Sequence, residues 1–199
     1  MRFTDQGGTM DQLATFGYAL EELRRTVATL DDSHMDAATN CDPWTVRRLA
    51  SHALNNQLLW GGLVTGQDIV SFEDAMGAVP HDGDLAAFAD DVAARASEMW
   101  STPGVMEAIH STPFGELPGS VVVTFPTIDA VAHAWDLSSS VGHPIEFEAR
   151  AIPAISTIVD AVCTDDVRAM GIIKAATEPP ADATDTERLM AAAGRTITR

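Results

Sequence analysis

Residues 127–142 constrain this chain more than any other stretch. Within them, Asp129-Ala-Val-Ala-His133-Ala-Trp-Asp136 puts a carboxylate and an imidazole four positions apart, on one face of a helix, a turn above each other. Ala130, Val131, Ala132, Ala134 and Trp135 around them are small or apolar, so this helix is expected to be largely buried. A buried carboxylate beside a buried imidazole must be satisfied by its neighbour, by a hydrogen-bond network or by a metal ion. The rest of the chain has to cover this helix and complete its polar pair.

Other helices are legible from their periodicity. Thr9-Met10-Asp11-Gln12 reads as a capping box, followed by Leu13, Phe16, Leu20, Leu23, Val27 and Leu30 at helical spacing. A second helix carries Val46, Leu49, Ala50, Ala53, Leu54, Gln57, Trp60 and Val64, a stripe apolar except at Gln57. Its cap is either Asp42, with Pro43 in the first turn, or Thr45. Asp84 caps a third helix with Leu85, Phe88, Val92, Ala93 and Met99, ending near Trp100. Residues 109–113 and 121–125 are extended candidates around the turn chemistry of Phe114-Gly115-Glu116-Leu117-Pro118-Gly119, so a hairpin or an ordered crossing loop precedes helix four. Thr127 opens that helix and Gly142 closes it. Helical periodicity returns over 149–162 around Pro153, and Thr184-Asp185-Thr186-Glu187 is a capping box for a short helix stopping at Gly194. The sum is an all-α four-helix bundle with a small β-hairpin option and C-terminal helical additions. It reads as a single domain over 1–199, with the bundle in 9–142 and a helical extension in 143–199.

Composition removes several functions. A net charge of −17 repels phosphate backbones, which argues against nucleic acid as a partner. The longest uncharged run, 49–67, is broken by His52, Asn55, Asn56 and Gln57, which argues against a membrane span. Cys41 and Cys163 form no CxxC pair, and Met1 to Gly8 lack the apolar segment of a signal peptide; a reducing cytoplasm is the expected location.

His52, in Trp44-Thr45-Val46-Arg47-Arg48-Leu49-Ala50-Ser51-His52, is the candidate third ligand. With Asp129 and His133 it would form a two-imidazole, one-carboxylate site, which for zinc leaves an open position of the catalytic kind. Iron(II) suits the same donors, as does nickel(II). A structural reading stands beside this one. Asp129 could simply stabilise its helix N-terminus by about 0.3–1 kcal/mol, His133 could be a core histidine satisfied by Asp129 or Asp136, and His52 could be half-exposed. Asp136 is read as an acceptor that orients an imidazole, and Arg48, on the face of His52, as a candidate for binding a substrate carboxylate. Cys41 has no activating neighbour in sequence. His34, His81, His110 and His143 fall in loops and are expected to be solvated, and Asn55 and Asn56 to face solvent.

The segment Trp44 to His52 resembles the tryptophan-to-histidine segment of the metal-binding domain of mycothiol-dependent maleylpyruvate isomerases, within the DinB-like bundles. Pro113-Phe114-Gly115-Glu116-Leu117-Pro118-Gly119 and His133-Ala134-Trp135-Asp136-Leu137 are similar to an actinobacterial branch of that family, as is Ala181-Asp182-Ala183 through Gly194-Arg195. The resemblance implies a DinB-like fold and a divalent metal, zinc foremost, on His52, Asp129 and His133. Asp129 departs from the glutamate that the family pattern favours and is one methylene shorter. The resemblance also implies a small thiol such as mycothiol as cofactor, with an electrophile as the second partner, in a metal- and thiol-dependent transferase or isomerase-like reaction. It does not reach a separate C-terminal domain of the isomerase, so isomerase activity itself is not implied. The alternative is a non-catalytic metal- or ligand-binding bundle with a degenerate site, and either form is compatible with a homodimer.

Overall fold

In the computed structural model, which describes residues 10–198, the apolar stripe of the first helix faces inward. Phe16, Leu20, Leu23 and Val27 are each at most 2% exposed. This helix, α1, spans Gln12–Ala28, and Asp11 caps it by accepting a hydrogen bond from the Ala14 amide. The Thr9 of the anticipated capping box lies outside the described residues. Asp11 does the capping in its place, and its charge also favours the positive end of the helix dipole.

Thr45, the second of the two cap candidates, opens α2 (Val46–Thr65) by accepting from the Arg48 amide, and Gly66 closes it at φ 68°. A short helix, α3 (Phe72–Ala75), interrupts the following connection, and Asp84 caps α4 (Leu85–Trp100) as anticipated. The hairpin exists, but one of its strands lies elsewhere. β1 (Ile109–Thr112) pairs antiparallel with β2 (Gly115–Pro118), so the turn is confined to Pro113 and Phe114. The expected second strand, 121–125, is helical and belongs to α5 (Gly119–Val122) and the start of α6. Val122 and Val123 are fully buried, and a short apolar run of that kind reads the same whether its burial is in a strand or a helix. Gly119 is needed where it stands, because a Cβ there would meet the Val105 carbonyl oxygen at 2.0 Å.

Helix α6 spans Thr124–Ser140 and so begins a turn before Thr127. Thr127 is internal to it, and its hydroxyl donates back to the Val123 carbonyl. At the far end Gly142 adopts φ 81°; its amide donates to the Ser139 carbonyl and that of His143 to the Ser138 carbonyl, the pattern of a Schellman cap. Then come α7 (Ile152–Val162), with Pro153 in its first turn, an unanticipated α8 (Asp165–Ala169), and α9 (Asp185–Ala192), which carries the full Thr184–Glu187 capping box.

Both α1 and α2 pack against α4 and α6, so the four helices close a ring in which α1 and α2 sit diagonally. The connection across that diagonal, residues 29–45, therefore passes over one end of the bundle. One core joins Leu23, Leu49, Val92 and Val131 from the four helices, and Ile155 and Met190 from α7 and α9 belong to it too. A second cluster around Phe16, Trp60 and Trp100 lies toward the hairpin. Burial at about 1.5–3 kcal/mol per fully buried aliphatic or aromatic side chain holds the ring together, and Pro126 falls in the first turn of α6, where a proline is tolerated. No helix among the described residues is long and apolar enough to cross a membrane.

Candidate metal centre

Helices α2 and α6 bring His52, Asp129 and His133 together. Their donor atoms all lie within 4.8 Å of one another. Both histidines are buried, and the Asp129 side chain is 15% exposed. Because α6 begins at Thr124, Asp129 sits in its second turn, where the helix dipole has faded, so N-terminal stabilisation is not its role.

Each imidazole is fixed from behind. Nδ1–H of His52 donates to the Ala75 carbonyl of α3, and Nδ1–H of His133 donates to Asp136 Oδ2 at 3.0 Å. With each Nδ1–H committed in this way, both Nε2 atoms face Asp129 Oδ1 at 3.4 Å, and in the neutral imidazoles both are acceptors. Three acceptors converging in a mostly buried place require a cation between them, either a proton or a metal ion. The distances favour the larger cation. A charged N–H to carboxylate bond prefers about 2.7–2.9 Å, whereas two donors on one tetrahedral zinc, each about 2.0–2.2 Å from the ion, stand about 3.3–3.5 Å apart. The residues present therefore fit a divalent metal. Gln57 Nε2 completes the setting by donating to Asp129 Oδ2 at 3.4 Å.

The same contacts set the charges of the metal-free site. Burial alone would raise Asp129, but His133 and His52 override it and hold the carboxyl well below the usual range. Burial would lower His133, but Asp129, then Asp136 and Cys41, raise it well above the ordinary imidazole value. Asp136 is fully buried, and Arg195 and His133 outweigh that burial to keep its carboxyl low.

Asp136 lies behind His133, with its Oδ2 shared between His133 Nδ1 and Arg195 Nη2, the latter at 2.9 Å. Cys41 touches the same carboxylate at 3.5 Å and lies 3.9 Å from His133 Nδ1. Cys41, His133 and Asp136 also approach closely enough to suggest a second cation site, but the guanidinium already occupies that carboxylate and would repel an ion there. Arg48 packs its guanidinium over the Trp44 ring at 5.0 Å, and Trp44 in turn meets the His52 ring at 4.8 Å. The Arg48 Nε is buried with no hydrogen-bond partner among the described residues.

Some expectations need correction. Cys41 keeps its reading as a thiol without an activating sequence neighbour, and the fold adds a contact to Asp136 that its sequence does not suggest. His110 lies on β1, and its ring bonds the Val105 carbonyl; the His81 ring stacks on Phe88, so neither is simply solvated. Asn55 is half-buried and donates to the Asp74 carbonyl rather than only facing solvent. Three participants went unread. Gln57 left a signal as the one polar member of an apolar stripe, and Arg195 left a weaker one, after the glycine that ends α9. The Ala75 carbonyl left none.

The model of the mycothiol maleylpyruvate isomerase N-terminal domain matches residues 16–138, which include all three candidate ligands and Asp136. An uncharacterized Mycobacterium tuberculosis protein, Rv0738 (strain H37Rv), is 28% identical over 192 residues, covering 94% of this chain and all of that protein; its counterpart in strain CDC 1551, MT0763, matches equally. Among solved structures, the fold is similar to a mycothiol-dependent maleylpyruvate isomerase at TM-score 0.57 and 16% identity, covering 74% of this chain and 68% of that one. A histidine-to-alanine mutant of that enzyme superposes at TM-score 0.59 with the same identity and coverage.

Proposed function

This chain belongs to the mycothiol maleylpyruvate isomerase N-terminal domain family, and on that premise we propose that His52, Asp129 and His133 hold one divalent cation, zinc foremost, for use with a small thiol of the mycothiol type. The observation that carries this is the pair of 3.4 Å separations between the two Nε2 atoms and one carboxylate oxygen, with each Nδ1 tied elsewhere. A bound divalent ion supplies Lewis acidity, favouring the deprotonated form of a coordinated thiol whose free pKa is about 8.5.

The protein's own residues do the rest. Ala75 and Asp136 fix the imidazole tautomers, and Gln57 holds the outer oxygen of Asp129 so that the inner one faces the histidines. Arg48, one turn before His52 and stacked on Trp44, would take a carboxylate of the thiol or of the electrophile. The function is that of a metal- and thiol-dependent transferase or isomerase-like enzyme. It is carried by the bundle of a single domain, with 143–199 as its extension.

Cobalt in place of zinc provides the test. Titrating the cobalt protein with a small cysteinyl thiol should raise a thiolate-to-cobalt charge-transfer band and release a proton, and His52→Ala should show neither change. A cobalt spectrum unmoved through saturating thiol would refute the thiol role and leave a non-catalytic metal-binding bundle.

A further inference from the structure

The family match ends at residue 138, yet one of the shortest charged contacts behind the candidate ligands comes from far beyond it. Arg195 reaches back from the end of α9 to Asp136, with Nη2 2.9 Å from Oδ2 and Nε 3.3 Å from both carboxylate oxygens. Its side chain is only 16% exposed, and Nη1 donates to the Ala193 carbonyl.

The segment that presents Arg195 is built to one geometry. Gly194 adopts φ 88°, and a Cβ there would meet the Lys174 carbonyl oxygen at 2.6 Å, so the chain turns tightly beneath the residues before α9. The Arg195 amide donates to the Met190 carbonyl, and the Thr177 hydroxyl bonds the Arg195 carbonyl. Lys174 Nζ, on the same segment, reaches the Asn40 carbonyl next to Cys41. The guanidinium is thus held on both sides and aimed at one carboxylate.

We propose that Arg195 is a positioning residue of the metal centre: the C-terminal segment completes the relay Arg195–Asp136–His133 that orients the α6 histidine. This rests on the metal-centre reading above. The chemistry follows from the contacts. Asp136 has no exposed surface, so its carboxylate is oriented only by the groups packed around it, and an Asp136 rotated away from His133 would no longer accept from Nδ1. The bidentate fork fixes the plane of the carboxylate as well as its charge, which a lone ammonium does not. His133 then keeps its Nε2 directed at Asp129, and its ligand basicity depends on a residue 62 positions later in the chain.

The test measures zinc affinity by competition with a chromophoric chelator, together with the visible spectrum of the cobalt form, on the whole chain. Arg195→Met should weaken zinc binding by about 10–100-fold, the usual range for an outer partner of a ligating histidine, and should shift the cobalt ligand-field band. Arg195→Lys should restore part of both. Pairing Arg195→Met with Asp136→Asn removes the stranded carboxylate and guards against a misfolded single variant; the pair should bind zinc no more weakly than Asp136→Asn alone. A folded Arg195→Met protein with wild-type affinity and spectrum would overturn the proposal, as would losses that simply add in the double variant. Failure of the wild-type chain to bind zinc overturns the metal-centre reading, and this inference with it.

Discussion

Gln57→Leu separates what holds the fold from what holds the site. Gln57 is fully buried, and its Nε2 lies 3.3 Å from the Ala53 and Pro126 carbonyls and 3.4 Å from Asp129 Oδ2, while its Oε1 has no partner among the described residues. Three long contacts lie at the weak end of about 0.5–1.5 kcal/mol each, and an unsatisfied buried oxygen costs about 1–3 kcal/mol. Leucine fills nearly the same volume and carries no polar atom. The global stability of the metal-free protein should therefore change by no more than about 1 kcal/mol in either direction. Zinc affinity should fall by about 10–100-fold, because Asp129 loses the donor that fixes its outer oxygen. That equals about 1.4–2.7 kcal/mol of zinc-dependent stability. For a chain of this size, at about 2–4 °C per kcal/mol, the zinc-induced rise in Tm should shrink by about 3–11 °C. Differential scanning calorimetry with and without zinc, plus chelator competition, reads both quantities. A variant that loses several kcal/mol without metal, yet binds zinc as tightly as wild type, would refute the assignment of Gln57 to the site.

Two further outcomes follow from the same geometry. Asp136→Asn should weaken zinc binding by about 10–100-fold without abolishing it, whereas His133→Ala should abolish it; equal and complete loss in chelator competition would make Asp136 a direct ligand. The pH dependence of stability should run in opposite senses with and without metal. His133 is raised above its unfolded value, so its contribution to the metal-free protein is complete below about pH 6.5 and is lost as pH rises through the folded value. Asp129 and Asp136 are lowered, so their contributions are present above about pH 4 and are lost only as pH falls toward their folded values. Zinc requires His133 deprotonated, so the zinc-induced Tm shift should grow between pH 6 and 8 while the metal-free Tm declines. A zinc shift independent of pH would contradict that linkage.

How much of this could be read in the sequence depended on whether the signal was local. The helical spacing of α1, α2 and α4, the Thr184–Glu187 box and the Gly142 stop are all local patterns, and each corresponds to an observed element. The pairing of Asp129 with His133 is likewise a property of one helix face. The strand placed over 121–125 failed because periodicity alone does not distinguish buried apolar runs, and the start of α6 was misplaced because Thr127 bonds backward inside the helix. What surrounds the site was hidden for another reason. Cys41, the Ala75 carbonyl and Arg195 reach His133, His52 and Asp136 across long sequence separations set by the diagonal path between α1 and α2, by the connection after α2 that carries α3, and by the return of the chain after α9. The Ala75 carbonyl has no residue-type signal, and Arg195 has only the weak one of Gly194 before it.

On the proposed function, three side chains of this chain hold one metal ion. Elemental analysis of protein purified without chelator or nickel resin tests it directly. About one divalent ion per chain is expected, with zinc foremost, and its loss in His52→Ala, Asp129→Ala and His133→Ala variants that remain folded. Wild-type protein that carries no stoichiometric metal and takes up none from added zinc would contradict it, as would a folded His133→Ala variant that keeps its full complement.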